Sequence, residues 1–410
     1  MTHTTIITNV ALFDGTGAAP VADRNLVVQG DRILEITEGA AMAPGRGRDE
    51  TVIDGRGKTV IPGLVFAHTH LGYHNVLGAR EVLFKYPLTE LAFVAALNAQ
   101  RALRLGYTTM VGAGSICNLD TYLNNAIRAG LFAGPQILPC SRDLMVAGPE
   151  GRRDPSKVKH IPRDYMPILT ELAEFVAAVD KEIDDGAQII KTFATGDDQF
   201  PNAKSDEPLY TLDELKCVVE VAGRRGVLVR SHARGREGIE KAIAAGVDIV
   251  DHATYSDQSC LDGLLAKGQT VVPSYFQPKM FLEKGAAFGA DPDRTEFAAE
   301  VANTRAFLPV AHEMGINIAL GDDFGFAWTP HGTYHDELEA FQHELGFDGA
   351  TVLKWATLGG ARMIRQDHRI GTLAPGKQAD LVLVEGDPVA DVRALKSGIR
   401  GVMLAGQMQG

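Results

Sequence analysis

Between about residue 60 and residue 370 the sequence passes repeatedly from short apolar runs to longer stretches of helical periodicity, and this alternation restricts the fold more than any other feature. Strand-length apolar runs stand at Leu64–His70, Thr108–Val111, Gln136–Pro139, Gln188–Thr192, Val227–His232, Asp248–His252, Thr270–Ser274 and Asn317–Gly321. Amphipathic stretches such as Leu88–Leu105, Leu169–Asp185, Leu212–Arg225, Gly235–Ala245 and Glu296–Met314 separate them. Short apolar runs bounded by turn residues read as buried strands, and the longer periodic stretches as helices. Eight strands, each followed by a helix or a long connection, predict an α/β fold, a (β/α)8 TIM barrel. A doubly wound open sheet shows the same alternation, but no Gly-x-Gly-x-x-Gly follows the first strand.

The two ends of the chain read differently. Thr5–Val10, Asn25–Gln29 and Arg32–Thr37 are β-branched or apolar and are punctuated by Asp14-Gly15, Gly30-Asp31 and Asp54-Gly55. These strands are too few to close on themselves. Gln378–Glu385 and Gly401–Gln407 supply matching strands after the turn-rich Gly371–Lys377. The expectation is a small β-sandwich domain formed by both termini, residues 1–59 and 371–410, with the barrel of residues 60–370 inserted in it.

Within the barrel, His68 and His70 close the first strand. Residues two apart on a strand share a face, so the two imidazoles point the same way, as half of a metal site or as a hydrogen-bonded core pair. The later strand ends favour the metal site. They carry Lys191, His232, His252 and the pair Asp322-Asp323, all at the face where barrel enzymes place their working groups. The chain holds 12 histidines in all, so four at one face is a concentration.

Composition narrows the partners. A net charge of −12 argues against a nucleic-acid surface or an anionic membrane patch, and no stretch is long and apolar enough to span a bilayer. The N-terminus lacks the basic and apolar regions of a signal peptide. Cys117, Cys140, Cys217 and Cys260 are far apart, as expected of reduced thiols in a cytoplasmic protein.

The ordered set of motifs resembles the amidohydrolase superfamily, in its imidazolonepropionase-related and prolidase-like branch with a carboxylated lysine. Pro62-Gly63-Leu64…His68-Thr69-His70 is similar to that family's first strand, and Gly186–Gly196 around Lys191 to its lysine strand. Ser231–Gly235 and Gly246–His252 resemble its two further histidine strands. Gly315–Asp323 resembles its aspartate strand, and Ile370–Leu381 its C-terminal signature. The resemblance implies that His68 and His70 hold one divalent ion, zinc being the first choice, with Asp323 as third ligand. It implies that His232 and His252 hold a second ion and that Lys191 bridges the two as a CO2-derived carbamate. An ammonium cannot ligate a cation, whereas a carbamate is anionic and carboxylate-like.

The activity implied is hydrolysis of a C–N bond (amide, peptide, carbamate or urea) by a metal-bridging hydroxide, with Asp323 moving the proton to the leaving group. A mononuclear metal-dependent deaminase and a lactonase or esterase are the rival enzymes. A non-catalytic barrel protein would be expected to lose ligands that are all present here. The partner expected is a small-molecule substrate, neither nucleic acid nor membrane, with homo-oligomerisation left open. Relatives usually have Thr where Asp322 stands and often Asp where Phe66 stands. The change at Phe66 is expected to affect packing only.

Two stretches bear on the substrate. Tyr73, Phe193, Tyr255, Tyr275, Phe276, Phe324, Phe326 and Trp328 lie just after strand ends, although aromatics make up only 7% of the chain. Of these, Tyr73, Tyr255, Tyr275, Phe324 and Trp328 are the candidate substrate contacts, favouring an apolar or aromatic group; packing beneath the loops is the alternative. The connection after the third strand carries Arg142, Arg152, Arg153, Lys157, Lys159 and Arg163, largely offset by nearby acids. It reads Ala147-Gly-Pro-Glu-Gly151 where carboxypeptidase-like relatives often have Gly-Gly-His-Gly.

Overall fold

The structure is a computed structural model that describes residues 3–39, 50–78, 81, 86–146, 165–196, 204–290 and 294–409. Of the basic connection after the third strand, Ala147–Gly151, Arg152, Arg153, Lys157, Lys159 and Arg163 lie outside the described residues. The chain divides into two compact units, residues 1–66, 100–110 and 332–410, and residues 67–99 and 111–331.

In the first unit the N-terminal strands are β1 (Thr4–Leu12), β2 (Val21–Gln29), β3 (Arg32–Glu38), β4 (Glu50–Asp54) and β5 (Lys58–Pro62). They join β17 (Leu381–Glu385), β18 (Ile399–Leu404) and β19 (Gln407–Gln409) in one sheet of order β19-β18-β17-β5-β1-β2-β3. β1 is the branching point. Its first half pairs with β4 and its second half with β5, across register shifts near Asn9, whose φ of 58° is left-handed. The pairing therefore gives a single mixed sheet, and a two-layered sandwich is not confirmed by it. Alternate residues Val10, Leu12, Leu26, Val28, Leu381 and Leu383 share one buried cluster, as the period of two requires. β5 runs antiparallel to β17, from Pro62 opposite Leu381 to Lys58 opposite Glu385. Phe66 is buried against Tyr107 and Tyr334, with ring centroids 5.3 and 4.8 Å away, which is a packing role.

The parallel strands lie mainly in the second unit, although the two that start at Leu64 and Tyr107 begin within residues of the first. β9 (Cys140–Asp143), β12 (Ile189–Phe193), β13 (Leu228–Ala233), β14 (Ile249–His252), β15 (Thr270–Pro273) and β16 (Asn317–Ile318) form a six-stranded sheet of order β16-β15-β14-β13-β12-β9. β6 (Leu64–Thr69), β7 (Tyr107–Gly112) and β8 (Gln136–Leu138) form a three-stranded one, β6-β7-β8. Two short strands, β10 (Met145–Val146) and β11 (Ile168–Leu169), pair apart from both. No closed barrel is detected in these ladders among the described residues.

Two local causes interrupt the ladders. The third expected strand ends at Pro139, which has no N–H to give, and a further strand follows at once: β8 pairs on the β7 side and β9 on the β12 side. The eighth is regular for only two residues before Gly321. Single backbone hydrogen bonds still link the edges, from Ala67 N–H to Leu320 O at 2.8 Å and from Ser115 N–H to Ser141 O at 2.9 Å. Gly321 is required by that contact. Its φ is 152°, and a Cβ there would stand 2.6 Å from the amide nitrogen of His68.

Helices 172–184, 212–224, 236–245 and 294–313 match expected ones within three residues. Thr211 starts one of them with a reciprocal cap, its Oγ accepting from Glu214 N–H while the Glu214 carboxylate accepts from Thr211 N–H at 2.8 Å. Among the described residues no helix is long and apolar enough to cross a membrane.

Candidate metal centre

Buried parallel strands are obliged to place their polar residues at their ends, and here those ends converge. His68 Nε2, His70 Nε2 and Asp323 Oδ1 form a small triangle. The two imidazole nitrogens are 3.3 Å apart, and the carboxylate oxygen lies 3.0 Å from His68 and 3.3 Å from His70. Donors held about 2.1 Å from one zinc ion in tetrahedral geometry stand ~3.4 Å apart. The triangle therefore fits a divalent cation. His252 joins it, since ligand atoms of His68, His252 and Asp323 all lie within 4.8 Å of one another.

The partners of the rings set which nitrogen can ligate. His70 Nδ1 is 3.3 Å from Gly114 O, and His232 Nε2 is 2.9 Å from Gly196 O. A carbonyl only accepts, so these nitrogens carry the protons. In the neutral rings the lone pairs sit on Nε2 of His70 and Nδ1 of His232. His232 packs edge-on to His252, ring centroids 4.5 Å apart, and is stacked on Phe193. His252 and Ala253 close β14 with left-handed φ values of 69° and 51°. That backbone is costly for residues with side chains, and it lets both Asp251 and His252 reach His68.

Electrostatics favour the ligating forms of His232, His252 and Asp323. Burial, with the charges of Arg234 and Lys191 beside it, pushes His232 well below the usual histidine range. Burial and Arg234 do the same for His252. For Asp323, burial works the other way, but His68, His70 and His252 outweigh it and hold the carboxyl well below the usual range. An imidazole kept neutral at His232 and at His252, and an ionised carboxylate at Asp323, are forms a cation binds.

Lys191 is 2% exposed, and its Nζ lies 2.8 Å from Asp251 Oδ2 and 5.2 Å from the centre of the Phe193 ring. Asp322 turns to the neighbouring strand instead of the histidines. It accepts from Ser274 Oγ at 2.7 Å, from the N–H groups of Tyr275 and Gln277 at 3.0 and 2.9 Å, and from its neighbour's N–H at 2.9 Å. In doing so it caps helix 276–284. Burial and the charge of Asp323 raise its pKa.

The aromatic candidates separate into two groups. Tyr73, though buried and edge-on to Phe326, is stacked on His70 with centroids 4.6 Å apart, and Tyr255 is half-buried, its hydroxyl pushed up to about 12 by burial. Tyr275, Phe324 and Trp328 are closed off by neighbours. Arg305 donates to the Tyr275 hydroxyl at 2.5 Å, Phe324 stacks on Phe276, and Trp328 packs between Phe281 and Phe326.

Four further residues surround the donors without having been expected: Arg230, Asp251, Arg234 and Glu300. All are buried, with Arg234 Nη1 2.8 Å from Glu300 Oε2 and Nη2 4.0 Å from Asp323 Oδ2. A signal for the first two existed. Arg230 stands two residues before His232, directly after the apolar Val227-Leu228-Val229, and Asp251 immediately precedes His252. Charged residues at buried strand positions need partners.

Histidine and aspartate donors gathered at the C-terminal ends of parallel strands define a metal-dependent α/β enzyme. The chain belongs to the amidohydrolase family, whose model matches residues 59–408. It is 27% identical to ochratoxinase of Aspergillus niger over 96% of this chain and 83% of that one. It is 26% identical to imidazolonepropionase of Streptomyces avermitilis, over 94% and 91%. A crystal structure of a Xaa-Pro dipeptidase with bound methionine superposes with a TM-score of 0.86 at 28% identity, covering 99% of each chain. The fold is accordingly of TIM-barrel type, and the protein is a metal-dependent hydrolase acting on C–N bonds.

Proposed function

We propose a binuclear hydrolase that cleaves the C–N bond of an amide, peptide, carbamate or urea bearing an apolar or aromatic group. The observation that carries this reading is the donor triangle of His68, His70 and Asp323, with His252, His232 and Lys191 beside it. His68, His70 and Asp323 would hold one divalent ion, zinc being the first choice; His232 and His252 would hold another, and Lys191, as a carbamate, would supply a carboxylate-like donor to them. Carbamylation adds CO2 to the neutral amine and releases one proton, leaving –NH–COO⁻ on the side chain. When bound, the ions acidify a water molecule and polarise the scissile carbonyl.

The chain's own groups do the rest. Asp323 receives the proton of the attacking water on a carboxylate oxygen and passes it to the leaving nitrogen. His70 is kept in one orientation by Gly114 O on one edge and the Tyr73 ring on its face. Tyr73 and Tyr255 meet the substrate's apolar group, and Tyr275, Phe324 and Trp328 back the pocket. The likeness to a Xaa-Pro dipeptidase supports a peptide-type bond as the target.

Hydrolysis of an N-acyl phenylalanine, its amide and the matching acyl glycine tests the substrate side. The phenylalanine compounds are expected to have the higher kcat/KM, by about 10-fold or more. A preference for the glycine compound would remove the aromatic pocket, and a strict need for the free carboxylate would replace it with recognition of a C-terminal carboxylate.

A further inference from the structure

Arg230 sits on β13 with 0% of its surface exposed. A guanidinium is always charged, so a position this dry is tolerable only if its N–H groups find acceptors. They do. Nε and Nη2 grip Asp251 Oδ2 and Oδ1 at 3.0 and 2.5 Å, and Nη1 donates to Gly112 O at 2.6 Å and Ala67 O at 3.1 Å. One side chain thus ties β6, β7, β13 and β14 together.

Asp251 turns the same two oxygens toward the centre. Oδ1 is 3.3 Å from His68 Nδ1, and Oδ2 is 2.8 Å from Lys191 Nζ. We propose that Arg230 is a positioning residue of the metal centre: by fixing Asp251 it orients His68 and Lys191 through the two oxygens of one carboxylate. This rests on the binuclear reading above. For His68 to offer its Nε2 lone pair, the Nδ1 proton must face an acceptor. Asp251 Oδ1, 3.3 Å away, is the one acceptor at that nitrogen; Arg230 Nη2, 2.9 Å from it, donates to the other tautomer, so a cation at Nε2 selects the Asp251 contact. A carbamylated Lys191 retains one N–H, and Asp251 Oδ2 is placed to receive it.

Arg230→Lys keeps the charge and loses the planar fork. In the full-length protein it is expected to weaken zinc binding ~10–100-fold and to shift the visible absorption of the cobalt-loaded form. The rate constant kcat should fall while KM stays within about 2-fold of wild type. Asp251→Asn should change the cobalt spectrum in the same way. A role confined to folding would lower Tm and leave zinc affinity and the cobalt spectrum of the folded fraction unchanged, and that result overturns the proposal. If Arg230→Lys does not fold, Asp251→Asn decides alone, and an unaltered cobalt spectrum overturns it. Wild-type protein that takes up no metal overturns the proposed function and this inference with it, whereas loaded wild type with equally loaded variants overturns only the inference.

Discussion

Lys191→Ala is expected to lose ~10²-fold or more of the activity and at least one bound ion per chain. Two effects act together and can be separated. Deleting the side chain takes one N–H donor from Asp251 Oδ2, which Arg230 Nε still serves, and a lost buried hydrogen bond costs about 1–3 kcal/mol. That loss is one of folding and shows in Tm. Losing a bridging carbamate instead empties the centre in protein that is still folded, and short carboxylic acids should restore part of the rate by standing in for the missing carboxylate. Full metal content and undiminished turnover in the folded variant would contradict the binuclear reading.

Asp323→Asn is the second large effect. Its oxygen is 3.0 Å from His68 Nε2, and its side chain remains 13% exposed, so it can meet both the donors and a substrate. Asparagine preserves the shape and one oxygen donor but cannot shuttle a proton. Metal content should largely persist while kcat falls ~10²–10⁴-fold. Asp322→Asn should be milder in rate and harsher in stability, because one carboxylate now answers Ser274 Oγ and three backbone N–H groups. Leaving a buried donor unanswered costs about 1–3 kcal/mol. Steady-state kinetics beside thermal melts give the ranking, and the opposite order would reassign the proton carrier.

These consequences were partly legible in the sequence. His68, His70, Lys191, His232, His252 and Asp323 stand at or just beyond ends of apolar runs, so strand period and barrel convention bring them to one face before any coordinates are known. Their hydrogen-bond partners were not legible. Asp251 is tied to Arg230 and Lys191 across strands 21 and 60 residues away in sequence, and no local spacing encodes that. Helix 276–284 escaped for a similar reason. Its cap is Asp322, 45 residues downstream of Gln277, and Pro278 lies in its first turn.

Boundaries were harder still. Val60–Pro62 is expected with the barrel because it runs on into the first strand, Leu64–His70, yet it belongs to a strand, Lys58–Pro62, whose backbone pairs with β17 and β1, and the ladder changes at Gly63. Past Pro139, where the expected third strand ends, the strand Cys140–Asp143 was not read, and it pairs in the other ladder. The aromatic residues illustrate the limit of composition. Tyr275, Phe324 and Trp328 follow strand ends as Tyr73 does, and all four are buried; Tyr73 stacks on His70, whereas the others meet Arg305, Phe276 and Phe281, and only tertiary packing distinguishes the two cases.

The most direct test is the metal content of the purified wild-type protein, measured by mass spectrometry after dialysis against metal-free buffer and reloading with zinc. A centre built from His68, His70 and Asp323 on one side and His232 and His252 on the other predicts about two ions per chain. Saturation at one ion would contradict the binuclear centre and leave a mononuclear site in its place; no uptake at all would contradict the metal centre altogether.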